Sequence, residues 1–234
     1  MKTTLLTLAC VAASFATVAQ SAAPASPTSS SVAAPAGTYA ALLTATVQEL
    51  MSTGDPAQLK QADAKLERAA LVAPKDWLPR YYQAYARVIT CFVSKEDGDV
   101  KDKYLDQAEA ALAQARKLQG DESELLVLQA YIYQARLGVS PMLRSMKYSG
   151  MVTETLSQAK KLNPANPRIY LVQANNVYYT PSMFGGGAEA AKPLYQEAKA
   201  RYAAFTPASA AAPNWGERQL LGRLKQYETA TAQQ

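Results

Sequence analysis

Tyrosine is the residue type in this sequence with the clearest chemical use. The chain has 14 Tyr against 4 Phe. Each tyrosine supplies a large contact area and one hydroxyl at a small cost in side-chain entropy, which suits a partly hydrated binding surface. The alternative is that these rings pack in a core with the hydroxyl at its edge, because aromatic residues at helical spacing are usually core residues. The sequence leaves both interpretations open.

A run of three glycines, Gly185–Gly187, directly precedes a helical pattern that begins at Ala188. Backbone N–H groups at the start of a helix can bind phosphate. However, no strand precedes the run and no Lys-Ser or Lys-Thr pair follows it, so a turn entering the helix is favoured. Met183 and Phe184 precede the glycines, and we interpret them as candidate contact residues of this loop.

A run of acidic residues near the middle of the chain is a possible cation site. Its members are Glu96, Asp97, Asp99, Asp102 and Asp106, and lysines are interleaved with them. A calcium site needs several oxygens that converge from one short loop, and this spacing does not fit the twelve-residue calcium loop. The charge pattern favours a solvated segment, and we predict no metal and no cofactor.

The composition excludes several classes of chemistry. The chain contains no histidine, which removes the Ser-His-Asp and Cys-His arrangements and the commonest zinc ligand. No pair of carboxylates stands out as the acid and base of a glycosidase. The 24 basic residues exceed the 19 acidic ones by only five and are spread along the chain, unlike a nucleic-acid-binding face. We therefore expect neither an enzyme nor a nucleic-acid partner.

The first 19 residues have the pattern of a secretory signal peptide. Lys2 supplies the positive charge, and residues 5–19 form an uncharged and mostly apolar stretch. Cleavage is expected before Gln20, with a cut within residues 21–23 as the alternative. Residues 20–37, rich in Ala, Ser and Pro, are expected to form a flexible tether. We thus predict a periplasmic or secreted protein with one folded domain over residues 38–234.

The two cysteines predict neither a lipid anchor nor an intrachain disulfide. Cys10 lies inside the apolar stretch and lacks the preceding Leu of a lipoprotein signal, so anchoring through a lipid on Cys10 is not expected. If Cys10 leaves with the signal peptide, Cys91 remains alone and cannot form an intrachain disulfide. Cys91 stands in an apolar run, which favours a buried position.

Beyond residue 38 the sequence shows helical patterns separated by breakers, and no segment alternates strictly enough to predict a strand. Asp55-Pro56 is typical of an N-cap followed by a first helical residue. The patterns predict helices over 38–51, 56–72, 77–93, 101–118, 121–137, 149–162, 164–179, 188–205 and 214–229.

The helical patterns repeat, with Ala84, Ala130 and Ala174 in equivalent places 46 and 44 residues apart. Each preceding helix carries a small, a large and a small residue before a breaker, as in Ala62, Leu66, Ala69 and Pro74. The same order recurs in Ala108, Leu112, Ala115 and Gly120, and, with Val152 as one enlarged position, in Val152, Leu156, Ala159 and Pro164. These residues resemble the tetratricopeptide repeat family, whose unit has 34 residues. Loops or longer helices must therefore be inserted between the two helices of each pair, on one edge of the array.

The resemblance implies a concave surface lined by the first helix of each pair. The groove positions that it implies are Tyr81, Tyr85, Tyr131, Gln134, Arg168, Asn175, Tyr178 and Tyr179. Asn175 matches the asparagine with which some family members clamp a peptide carboxylate. The lysines of that clamp are missing, so a charged C-terminal peptide is not the expected ligand.

These observations predict an all-α solenoid of antiparallel helix pairs, a right-handed superhelix of the tetratricopeptide type, with the helix 214–229 as a C-terminal cap. The leading function is a non-catalytic scaffold that binds a protein or peptide partner on its tyrosine-lined concave surface. The alternative is a periplasmic carrier of an apolar small molecule that serves a transport system. A scaffold predicts Tyr81, Tyr85 and Tyr131 exposed together, a carrier predicts an enclosed cavity beneath residues 180–187, and a hydrolase would need carboxylates that converge in a cleft.

Overall fold

The structure, a computed structural model, describes residues 36–231, so the predicted signal peptide and nearly all of the predicted tether lie outside the described residues and stay predictions. Nine α-helices and no strand occupy this range, with one short 3₁₀ helix, Ser182–Phe184, between α7 and α8. The helices are α1 Ala36–Ser52, α2 Pro56–Val72, α3 Leu78–Val93, α4 Gly98–Lys117, α5 Glu122–Val139, α6 Pro141–Leu162, α7 Pro167–Tyr179, α8 Ala188–Ala203 and α9 Glu217–Thr231.

The helices begin where the sequence supplies a cap for their free N–H groups. The Asp55 carboxylate accepts a hydrogen bond from the backbone N–H of Gln58 at 2.9 Å. Asp97, Asp121 and Asn166 cap α4, α5 and α7 in the same way. Pro56, Pro141 and Pro167 stand in the first turns of their helices, where no backbone N–H is required.

The helices form two layers of consecutive antiparallel pairs. Each helix packs on the next in sequence, while α1 also packs on α3, α3 on α5 and α5 on α7, which makes these four helices one inner layer. Ala84, Ala130 and Ala174 are fully buried on these inner helices, as expected where helices cross closely. The all-α solenoid prediction is confirmed.

The extra length of the repeats is helical. Helix α4 has 20 residues and α6 has 22, and only four residues separate α3 from α4. The sequence predicted a start for this helix near Ser149, whereas α6 begins at Pro141. That predicted start is wrong because it was based on apolar residues spaced to face the core. The first turns of α6 carry apolar side chains that are exposed, such as Met142 and Met146, so they do not follow that spacing.

The chain after α8 returns across the inner layer. The Tyr82 hydroxyl donates to the carbonyl of Ala211 at 3.0 Å, and the Tyr202 hydroxyl donates to the carbonyl of Trp215 at 2.9 Å. Helix α9 then packs on α8, as expected of a terminal helix, with Tyr227 donating to the carbonyl of Ala188. Within residues 36–231, no helix is long and apolar enough to cross a membrane.

Candidate ligand-binding cleft

One large cleft opens along the edge where the inner helices end. The C-terminal residues of α1, α3, α5 and α7 line it, together with the first turns of α6, the 3₁₀ segment and residues 214–219 at the start of α9. Its volume is about 1780 Å³, above the usual range of about 300–1,000 Å³ for pockets that hold drug-sized ligands. The cleft can therefore accept a ligand larger than an ordinary metabolite.

Aromatic rings form the floor of the cleft. The Trp215 indole stacks on the Tyr131 ring with centroids 5.1 Å and planes 13° apart, and the Tyr85 ring lies 5.1 Å from it on a tilted plane. Phe92 contacts the other part of this group, with its centroid 5.1 Å from that of Tyr131. Burial raises the pKa of both tyrosines, so their hydroxyls remain protonated and the floor is uncharged.

A buried polar network fixes Trp215 from below. The indole N–H donates to the Tyr81 hydroxyl at 2.7 Å, and that hydroxyl donates to the Glu124 carboxylate at 3.2 Å. Two further groups donate to the Glu124 carboxylate. Nε of Arg168 donates to one oxygen at 2.9 Å, and Nδ2 of Asn166 donates to the other oxygen at 2.9 Å. Since the charge of Glu124 is matched by that of Arg168, the network can stay buried beneath an apolar floor.

Methionines of α6 form an apolar wall. Met142 is 97% exposed and Met146 is 96% exposed, and their spacing of four residues places them on one face of the helix. Both line the cleft, as do the exposed rings of Phe92, Tyr179 and Phe184. So many exposed large apolar side chains around one concavity are typical of a ligand or interaction site.

Ion pairs hold the methionine-bearing turns of α6 in place. Arg144 makes a two-pronged contact with Asp102 of α4, with N–O distances of 2.6 and 2.8 Å, and also donates to the carbonyl of Arg136 on α5. The Asp102 carboxylate also accepts from Arg136. The hydrogen bond from Arg144 holds the pKa of Asp102 below its ordinary value. Asp102, one member of the acidic run, thus anchors α6.

The predicted groove and loop residues lie in three places: along the cleft, beneath its floor, or outside it. Tyr85, Tyr131, Gln134, Asn175, Tyr179 and Phe184 line the cleft. Tyr81 and Arg168 lie beneath its floor in the network around Glu124, and Tyr178 lies half-buried against Tyr195 and Arg223. Met183 is exposed but is not among the lining residues.

The polar members of the predicted set are largely occupied by other protein groups. The Gln134 amide donates to the carbonyl of Val172 at 3.2 Å, and the Asn175 side-chain oxygen accepts from the Tyr195 hydroxyl at 2.8 Å. These two side chains therefore tie the helices together. A clamp role for Asn175 would require its bond to Tyr195 to break.

The structure also bears on the three criteria for function. Tyr81 is 0% exposed, and Tyr85 and Tyr131 are nearly buried, so the expectation that they are exposed together is wrong. The reason is that the returning C-terminal segment places Trp215 over them. The carrier criterion was an enclosed cavity beneath residues 180–187. The structure has a cleft at this place, lined by Thr180, Pro181 and Phe184, but the cleft is open to solvent. Among the described residues that line it, Glu217 is the single carboxylate, which leaves no converging pair for a hydrolase.

Sequence reasoning did not find Met142, Met146 and Trp215. A signal for the methionines exists, because Pro141 is a suitable first residue for a helix that would carry them four positions apart on one face. The sequence placed Trp215 in the predicted helix 214–229, but α9 begins at Glu217 and Trp215 lies in the connection before it. Nothing local in the sequence indicates its contact with distant Tyr131.

Comparison with solved structures supplies a relative of this chain. The HusA haemophore from Porphyromonas gingivalis matches it with a TM-score of 0.73 and 36% sequence identity, over 84% of this chain and 96% of that chain. This chain belongs to the family of the HusA haemophore. No family model and no curated protein matched it. The predicted all-α architecture of helix pairs is present in this chain. Membership of the tetratricopeptide repeat family is not confirmed, because the solved structure that matches is the HusA haemophore.

Within the described residues, no group of histidine, cysteine and carboxylate side chains is arranged to hold a metal ion. Cys91 is buried, and burial raises the pKa of its thiol to about 11. The soft donor atoms that do line the cleft are the thioether sulfurs of Met51, Met142 and Met146. Thioether sulfur is a soft donor, so these methionines do not suit a hard hydrated cation such as Mg²⁺ or Ca²⁺.

Proposed function

We propose that this chain is a haem carrier that binds the porphyrin in the cleft between α6 and the start of α9. The observation that carries the proposal is the cleft itself, whose volume and apolar lining suit a large planar ring, in a chain that belongs to the family of a haemophore. This function corresponds to the carrier alternative from the sequence. The protein-binding scaffold has less support, because Tyr81, Tyr85 and Tyr131 are buried and not exposed together.

The lining residues fit a porphyrin in shape and polarity. The Trp215 indole, supported by the rings of Tyr131 and Tyr85, gives an apolar aromatic floor. Methionine side chains adapt to irregular or planar partners because they are unbranched and polarisable. Met142 and Met146 also bring thioether sulfurs, which are known ligands of haem iron in proteins. No histidine is present anywhere in the chain to serve instead.

The expected location follows from the N-terminal sequence. Residues 1–19 predict export, so the carrier would act outside the cytoplasm, where it would bind haem and pass it on. Binding in an open cleft would let the ligand leave without unfolding of the solenoid. An open site thus suits transfer to a second protein better than permanent storage.

A haem titration of the purified protein tests the proposal. We expect a saturable shift of the Soret absorbance with one haem per chain, an affinity of about 1 μM or tighter, and quenching of Trp215 fluorescence. Quenching should persist in a Trp77→Phe variant, since Trp77 does not line the cleft. The absence of any saturable change in absorbance or fluorescence would refute the carrier function.

A further inference from the structure

The charged groups that line the cleft lie at one end. Among the described lining residues, Arg218 is the single cation and Glu217 the single anion, and both belong to the first turn of α9. Every other described lining side chain is apolar or neutral and polar. A charged ligand group therefore has one corner of the cleft in which a specific charged partner is available.

The electrostatics of the remaining cleft oppose a negative charge. The C-terminal residues of α1, α3, α5 and α7 all reach this edge, and the C-terminus of a helix carries partial negative charge. An anionic group placed against these ends would meet unfavourable dipoles. The first turns of α6 and α9 have the opposite dipole, and of these two only α9 contributes a cation, Arg218, to the described lining.

The structure orients Arg218 for such a contact. One guanidinium nitrogen, Nη1, donates to the carbonyl of Ser52 at 3.2 Å, which ties the side chain to the end of α1. The side chain remains exposed beside the cleft, and guanidinium has further N–H donors that match the geometry of a carboxylate. Trp215, in the floor of the cleft, and Arg218, its cation, are three residues apart in sequence.

We infer that Arg218 determines specificity by binding a propionate carboxylate of the porphyrin, so that the ligand class is a carboxylated tetrapyrrole lying with an acidic edge toward the start of α9. This inference rests on the proposed haem-carrier function. Glu217 opposes the same contact, and its charge weakens binding of a carboxylated ligand.

The test compares two ligands that differ only in the charge of this edge, haemin and haemin dimethyl ester, on the wild type and on Arg218→Gln. We expect Arg218→Gln to lower the affinity for haemin by about 3- to 10-fold and to leave the ester unchanged, while Glu217→Gln raises the affinity for haemin. Arg68→Gln is the matched control. Arg68 is exposed on α2 and does not line the cleft, so its substitution removes the same charge outside the site.

Salt dependence provides a second readout. Added salt should weaken haemin binding by the wild type more than by Arg218→Gln, because screening acts on the exposed charge pair. An equal loss for haemin and ester in Arg218→Gln, or no loss for either, would overturn the role of Arg218 while leaving the carrier intact. If the wild type binds neither ligand, the proposed function itself fails.

Discussion

Trp215 and Tyr131 are stacked, with their ring centroids 5.1 Å apart and their planes inclined by 13°. One ring comes from the connection before α9 and the other from the middle of the inner layer. Because Trp215 covers Tyr131, the tyrosines of the inner helices are buried and the indole becomes part of the cleft floor.

Removal of the indole should destabilise the whole domain. Trp215 is buried, and its N–H is bound to Tyr81, so Trp215→Ala leaves a cavity over the aromatic floor. We expect a loss of about 3–5 kcal/mol in the free energy of unfolding, measured by urea denaturation followed by circular dichroism. Trp215→Phe should lose less, since it keeps a ring on Tyr131. Equal stability of Trp215→Ala and wild type would show that the C-terminal segment is not part of the cooperative fold.

The backbone at Gly216 should tolerate no side chain. Gly216 has φ of +105°, and a Cβ there would lie 2.2 Å from the Tyr202 hydroxyl oxygen. We expect Gly216→Ala to cost about 1–3 kcal/mol of stability, because Trp215 must shift or the backbone must change. Gly222→Ala in α9 is the matched control, since a Cβ at Gly222 meets nothing within 4 Å. Its expected effect is a gain of about 0.5–1 kcal/mol by thermal or urea denaturation.

The apolar wall should matter for ligand binding and not for folding. Met142 and Met146 are almost fully exposed, so Met142→Glu/Met146→Glu should leave the free energy of unfolding unchanged. The double variant should bind haem about tenfold more weakly or worse, because two carboxylates replace apolar contacts. Leu143→Glu is the control, since Leu143 is 88% exposed on the same helix but does not line the cleft. Equal haem affinity of the double variant and the control would place the ligand elsewhere.

The anchor of α6 should depend on pH. Because Arg144 lowers the pKa of Asp102 below its ordinary value of 3.8, the pair stabilises the fold above pH 3.8, and this stabilisation is lost as pH falls through the lowered pKa. Asp102→Asn should therefore cost about 1–2 kcal/mol near neutral pH, with a difference from wild type that shrinks in stronger acid. Denaturation of both proteins across this range measures the effect. Glu154→Gln, at an exposed position of α6, should show no such dependence.

The sequence determined the helical architecture because its signals are local. Small residues such as Ala84, Ala130 and Ala174 mark the helix crossings, and caps such as Asp55 mark the helix starts. Such features depend on neighbours within a few residues, so a single sequence contains them. The absence of histidine likewise excludes the Ser-His-Asp and Cys-His arrangements from the sequence alone.

The tertiary structure decided the site. Tyr85 and Tyr131 occupy the positions that the resemblance indicated, yet whether they face solvent depends on Trp215, which the sequence placed inside the predicted helix 214–229 and which the structure places in the connection before α9. Met142 and Met146 break the core-facing pattern because their contact is with a cleft and not with the protein interior. The sequence therefore determined which helices form and how they pair. The return of the C-terminal segment over the inner layer was set by contacts between distant residues, which only the folded chain brings together.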